Sequence, residues 1–131
     1  MDYALFLKAL ICLFFAVLFL QSGLDKVTDR KGNLEWLTGH FANSPLRGLV
    51  PILLFKITLL EIVSGLLCLI GIWAVAFKGP AWIAPTGLLL CCLSLCALFA
   101  GQRIAKDYAG AASLAGYFAV AVVGTWIVLS L

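Results

Sequence analysis

Apolar residues run almost unbroken through four blocks, at 3–24, 49–77, 81–101 and 109–131, with polar residues gathered between them. At a rise of about 1.5 Å per residue, a helix of about 20 residues crosses a hydrocarbon core of about 30 Å. Backbone polar groups in lipid must be satisfied within the segment, so blocks of this length predict helices. The expected fold is therefore an all-α membrane protein: four transmembrane helices in one antiparallel bundle, forming a single domain over residues 1–131.

The polar stretches refine this picture. In the first, Leu34, Leu37 and Phe41 recur at i, i+3 and i+7 with Trp36 and His40 alongside, which predicts a short helix lying at the membrane surface, with Asn33 as its cap. Ser44-Pro45 reads as N-cap and first residue of a helix, but Pro51 six residues on would break it, so the membrane-crossing part starts close to Pro51. Lys78-Gly79-Pro80 is a turn. Gly101 suits a helix stop and Asp107 the N-cap of the last block. In that block Ala112 and Gly116, then Ala115 and Ala119, repeat at i, i+4, a spacing expected to serve close packing inside the bundle ahead of an oligomer interface.

Composition agrees with the pattern. The chain is 64% hydrophobic and 11% charged, with a mean hydropathy of +1.14, too little polar surface to cover a water-soluble globule. The first block reads as a retained anchor, because it is longer than a signal-peptide core and has neither a basic leader nor an A-x-A site. Net charge is +3, with no basic stripe of the kind that binds nucleic acid. Lys26, Arg30, Lys31, Arg47, Arg103 and Lys106 lie in the two longer polar stretches, whereas Lys8 and Lys78 oppose them. The positive-inside rule puts those stretches in the cytoplasm and both termini outside. Trp73, Trp82 and Trp126 gather toward the other face, as an aromatic belt would.

Candidate chemistry is sparse. Cys12, Cys68, Cys91, Cys92 and Cys96 all fall in apolar blocks, without a CxxC or a histidine at ligand spacing, so they are expected to act as small hydrophobes and to hold no metal. His40 is expected to be an interfacial residue with one wet edge. Glu61, near the middle of the second block, stands out: a carboxylate at the centre of a bilayer costs roughly 2.5–3.5 kcal/mol on insertion scales. It must face other helices or a wet cavity. Lys56 is five residues away, about 140° round the helix, and so does not form an ordinary pair with it. By depth, Asp25 is the expected counter-ion of Lys56, Glu61 is level with Cys12 and Tyr117, and Tyr117, Ser94 and a Lys56 bent toward it as well as toward Asp25 are the expected company for the carboxylate. Gly65, one turn on, leaves room for a neighbouring helix or ligand.

Two segments carry a family resemblance. Phe19-Leu20-Gln21-Ser22-Gly23-Leu24-Asp25-Lys26 resembles the F-x-x-x-G-x-x-K signature that closes the first helix of the DoxX family, and Glu61 to Gly71 resembles its E-x-x-G-G-L-L-L-L-x-G second helix, with Ser64 in place of the first glycine. The resemblance covers essentially the whole chain. It implies a small four-helix protein of the bacterial inner membrane that works as an accessory or assembly module, in some cases redox-associated, bound to a membrane protein partner or to copies of itself. The alternative it implies is a subunit of a quinone-linked oxidoreductase, or a quinone or lipid binder using Glu61; quinone is the one cofactor this leaves open. Glu61, Lys56, Asp25, Lys26, Gly65 and Tyr117 are the candidate ligand- or partner-binding residues. No nucleophile and base pair, metal constellation, haem motif or nucleotide loop points to a self-sufficient enzyme.

Overall fold

A computed structural model describes residues 2–131. It is all helical: α1 (Tyr3–Thr28), α2 (Arg30–His40), α3 (Val50–Ala76), α4 (Ile83–Ile104) and α5 (Tyr108–Ser130). All but α2 are long and apolar enough to cross a membrane.

The helix ends follow from local chemistry. Asp2 caps α1, its Oδ1 accepting from the backbone N–H groups of Ala4 at 3.0 Å and Leu5 at 3.3 Å. Asp29 both closes α1, through its N–H to Asp25 O, and caps α2, accepting from Gly32 N at 3.2 Å. Asn33 is therefore not the cap; its side chain donates to Asp29 O at 2.9 Å instead. Residues 41–49 form successive turns, so Ser44-Pro45 opens no regular helix, and Pro51 sits in the first turn of α3, where its missing N–H costs nothing. Asp107 caps α5, accepting from Gly110 N at 2.9 Å.

Both α3 and α4 end on a lysine in the left-handed conformation, Lys78 at φ 53° and Lys106 at φ 62°. In each case the following N–H reaches back to close the helix, Gly79 N to Ala74 O at 2.8 Å and Asp107 N to Gln102 O at 2.9 Å. Gly101 is not the stop; it lies inside α4.

The packing order is α1 on α3, α3 on α4 and α4 on α5. Small residues set the closeness of these contacts. A Cβ placed on Gly87 would lie 2.9 Å from the Cys68 nitrogen and 3.0 Å from Leu67, so α4 meets α3 nearly backbone to backbone. Three registers in order, Gly71 with Ala84, Cys68 with Gly87 and Ser64 with Ser94, show α3 and α4 running antiparallel. The core centres on Cys12, Phe15, Phe19, Leu88, Cys91 and Leu95. Outside it, Val17, Phe55, Leu93 and Val123 are exposed, an exterior suited to lipid and not to water.

The small-residue repeat of α5 does not pack inside, contrary to the sequence expectation. Ala112, Ala115, Gly116 and Ala119 are all exposed, and a Cβ on Gly116 would meet nothing within 4 Å. The helix instead turns Ala111, Ala121, Gly124, Thr125 and Val128 inward.

Candidate functional site: a buried lysine–glutamate pair

α1 runs four residues past the expected end of its apolar block, and this extension builds the site. With residues 25–28 helical, Ser22 and Lys26 stand on one face at i, i+4, and Lys26 Nζ donates to Ser22 Oγ at 2.8 Å. That face meets α3. Lys26 Nζ lies 3.2 Å from Glu61 Oε1 and donates to Oε2 at 3.4 Å. Glu61 is fully buried, and the Lys26 side chain is 16% exposed. Among the described residues Oε1 has no donor aligned with it despite the short ionic contact, which leaves the carboxylate incompletely satisfied.

Close helix approach makes the pair reachable. A Cβ on Gly23 would lie 2.7 Å from Ile62 Cγ1 and 3.5 Å from Glu61 Cβ; one on Gly65 would lie 2.7 Å from Leu20 Cγ and 2.9 Å from the Leu20 nitrogen. Glycine at 23 and 65 thus lets the two backbones come together on either side of the carboxylate. The room expected beside Gly65 is filled by Leu20, a neighbouring helix and not a ligand.

These contacts also correct the depth assigned to Glu61. It is level with Gly23, not with Cys12, which lies eleven residues, or about 16 Å, further along α1. The acid therefore sits toward the end of α1 that meets α2. The reason is the register of α1 on α3, which pattern along one chain does not contain.

The other candidates are dispersed. Lys56 and Asp25 are both exposed and form no ion pair with each other, because the antiparallel register puts Lys56 level with Asp29, about a turn beyond Asp25. Among the described residues Asp25 Oδ2 has only Asn33 Nδ2, at 3.4 Å. Tyr117 is 39% exposed and makes no hydrogen bond to Glu61. Ser94 meets Ser64 at 3.2 Å, one turn deeper, and both hydroxyls donate to carbonyls of their own helices. Ser22 was missed; its only sequence signal was the i, i+4 spacing to Lys26, which has meaning only once the helix is known to continue.

A second polar cluster ties α2 to the α4–α5 turn. His40 Nε2 is 2.7 Å from Gln102 Oε1 and 3.7 Å from Asp107 Oδ2, and its ring stacks on Trp36 at 4.5 Å between centroids. A Cβ on Gly110 would lie 2.6 Å from Gln102 Nε2, so glycine there admits the amide. His40 is thus engaged on both its face and its edge. Cys68 and Cys91 lie 3.6 Å apart, sulfur to sulfur, across α3 and α4, both buried. Among the described residues no group of three His, Cys, Asp or Glu side chains could hold a metal ion.

No family model, curated protein or solved structure matches this chain.

Proposed function

We propose that this chain is a DoxX-like accessory or assembly protein of the bacterial inner membrane, a four-helix antiparallel bundle that binds a membrane protein partner. The observation that carries the reading is the Lys26–Glu61 pair. The two segments on which the resemblance rests, 19–26 and 61–71, lie against each other, and their charged residues meet in the interior. A charge pair closed within the chain organises the scaffold and leaves the apolar exterior for association. In this reading α2, whose residues are all half-buried or exposed, lies at the cytoplasmic interface, with Trp36 outward.

A second reading, a subunit of a quinone-linked oxidoreductase or a quinone or lipid binder acting through Glu61, draws on one observation: Glu61 Oε1 lacks an aligned donor. Co-purification in mild detergent with mass spectrometry separates the two. One stoichiometric membrane protein partner, lost in Glu61→Leu, is expected; a bound quinone without a protein partner would replace the first reading by the second. Orientation is checked separately by single-cysteine labelling in a cysteine-free background. Thr38 and Ala105 should resist an impermeant reagent added to intact cells, and labelling of both would invert the topology.

A further inference from the structure

Charge is out of balance at one level of the molecule. Asp25 and Lys26 are neighbours about 100° apart on α1, and the helix turns Lys26 inward to Glu61 while Asp25 faces outward. Three charged side chains thus share this level, two acids and one base, and the base is consumed by Glu61. No lysine or arginine among the described residues pairs with Asp25, and Asn33 Nδ2 at 3.4 Å is its only side-chain partner. Lys56, the closest exposed cation by register on α3, stands about a turn nearer the loops.

Asp25 stands where polar and apolar surface meet, with Gln21, Thr28 and Asn33 about it and apolar side chains on the rest of α1 and on α3. Through the contacts of Gly23 with Ile62 and of Gly65 with Leu20, Asp25 is level with Leu60. Ile52 and Phe55, which lie nearer the loops than Leu60, are 52% and 59% exposed. Exposed apolar surface on α3 therefore continues past the level of the carboxylate.

Below Asp25 runs an open apolar groove of about 550 Å³, lined along α1 from Leu13 to Thr28 and by Leu69 of α3. Its form comes from two side chains that do not stand up from the helix: Ala16, which is small, and Leu20, drawn in against Gly65. From Leu13 to Asp25 the groove is about 18 Å long at the helical rise, close to the depth of one leaflet, half of about 30 Å. Its polar end carries the Asp25 carboxylate, the Gln21 amide, which both donates and accepts, and Thr28 Oγ1, whose proton is already given to Leu24 O at 3.0 Å.

We propose that this groove is a binding site for an amine-bearing phospholipid of the phosphatidylethanolamine class, its acyl chain along Val17 and Leu20 and its ammonium on Asp25. One acyl chain matches the length and apolarity of the groove. The ammonium provides the positive charge that the unpaired acid lacks and donors for its oxygens, whereas an anionic headgroup would add a further negative charge. The site includes neither Glu61 nor Lys26, so its loss leaves the charge pair that carries the partner-binding reading in place.

The test uses the full-length protein in mild detergent, titrated with phosphatidylethanolamine and phosphatidylglycerol of identical acyl chains, with adducts counted by native mass spectrometry. Wild type should retain phosphatidylethanolamine about fivefold better. Asp25→Asn should abolish the preference and Asp25→Lys reverse it, while Lys56→Gln leaves it unchanged. Val17→Trp, which fills the groove without altering charge, should lower retention of both lipids. Circular dichroism of each variant establishes that it is folded. Equal retention of the two lipids by wild type, or a preference that survives Asp25→Asn, overturns the proposal. So does a transmembrane protein partner found to occupy the groove through a cation on Asp25.

Discussion

Gly23 on α1 stands against Ile62 on α3 so closely that a Cβ would lie 3.3 Å from the Ile62 nitrogen, and this contact sets the level at which Lys26 meets Glu61. Gly23→Val should push the helices apart. Overpacking of this kind costs about 1–3 kcal/mol. A lowered thermal midpoint in detergent, together with a Lys26 amine newly reactive to acylating reagents, would be the expected pair of results. An unchanged midpoint would mean that the α1–α3 approach is not tight.

The Lys26–Glu61 pair calls for a double-mutant cycle. Removing one partner of a buried pair leaves an uncompensated charge, at a cost of about 3–5 kcal/mol, whereas replacing both with apolar residues of similar size is often close to neutral. Glu61→Leu should therefore destabilise most, Glu61→Gln less because its amide oxygen still accepts from Lys26, and Lys26→Met with Glu61→Leu should recover much of the loss. If the double variant is as unstable as Glu61→Leu alone, the two residues are not coupled.

His40 links α2 to Gln102 and Asp107 on the far side of the polar end. His40→Ala should free the C-terminal end of α2 at a cost of about 1 kcal/mol, typical of one net hydrogen bond. Limited proteolysis reads this directly, as faster cleavage within residues 41–49 while the cores of α3 and α4 stay protected.

Lys106 holds a left-handed conformation at φ 62°, in an exposed turn where its side chain forms no hydrogen bond or ion pair among the described residues. Glycine adopts that conformation without the Cβ clash, so Lys106→Gly should stabilise the protein by roughly 0.5–1 kcal/mol. A fall in the thermal midpoint would assign Lys106 an interaction that the geometry does not show.

The cysteines divide by exposure. Cys12, Cys68 and Cys91 are buried, Cys92 is half-buried and Cys96 is exposed. N-ethylmaleimide acting on the folded protein in detergent should modify Cys96 first and the three buried thiols only after denaturation. Early modification of Cys68 or Cys91 would contradict the packing of α3 on α4.

Sequence pattern alone determined the existence, number and approximate bounds of the long helices, the Asp107 cap and the start of α3 near Pro51. These depend on interactions within a few residues or on the bulk exclusion of polar groups from lipid, both of which are written along one chain. It also placed Glu61, Asp25 and Gly65 among the residues to watch, and the family resemblance added Lys26. Which of them meet was decided by tertiary structure. The Lys26–Glu61 pair depends on α1 staying helical through a charged tail that composition assigns to a loop, and on a register set by Gly23 against Ile62 and Leu20 against Gly65. The same register separates Lys56 from Asp25 and leaves Tyr117 facing outward. In α5 the apolar surface runs all the way round, so no periodicity marks an inner face, and only packing chose Ala121, Gly124 and Val128 over Ala112 and Gly116. In lipid both faces of a helix can be equally apolar, so the hydrophobic pattern that orients helices in water loses its directional information. Steric fit between small residues decides in its place.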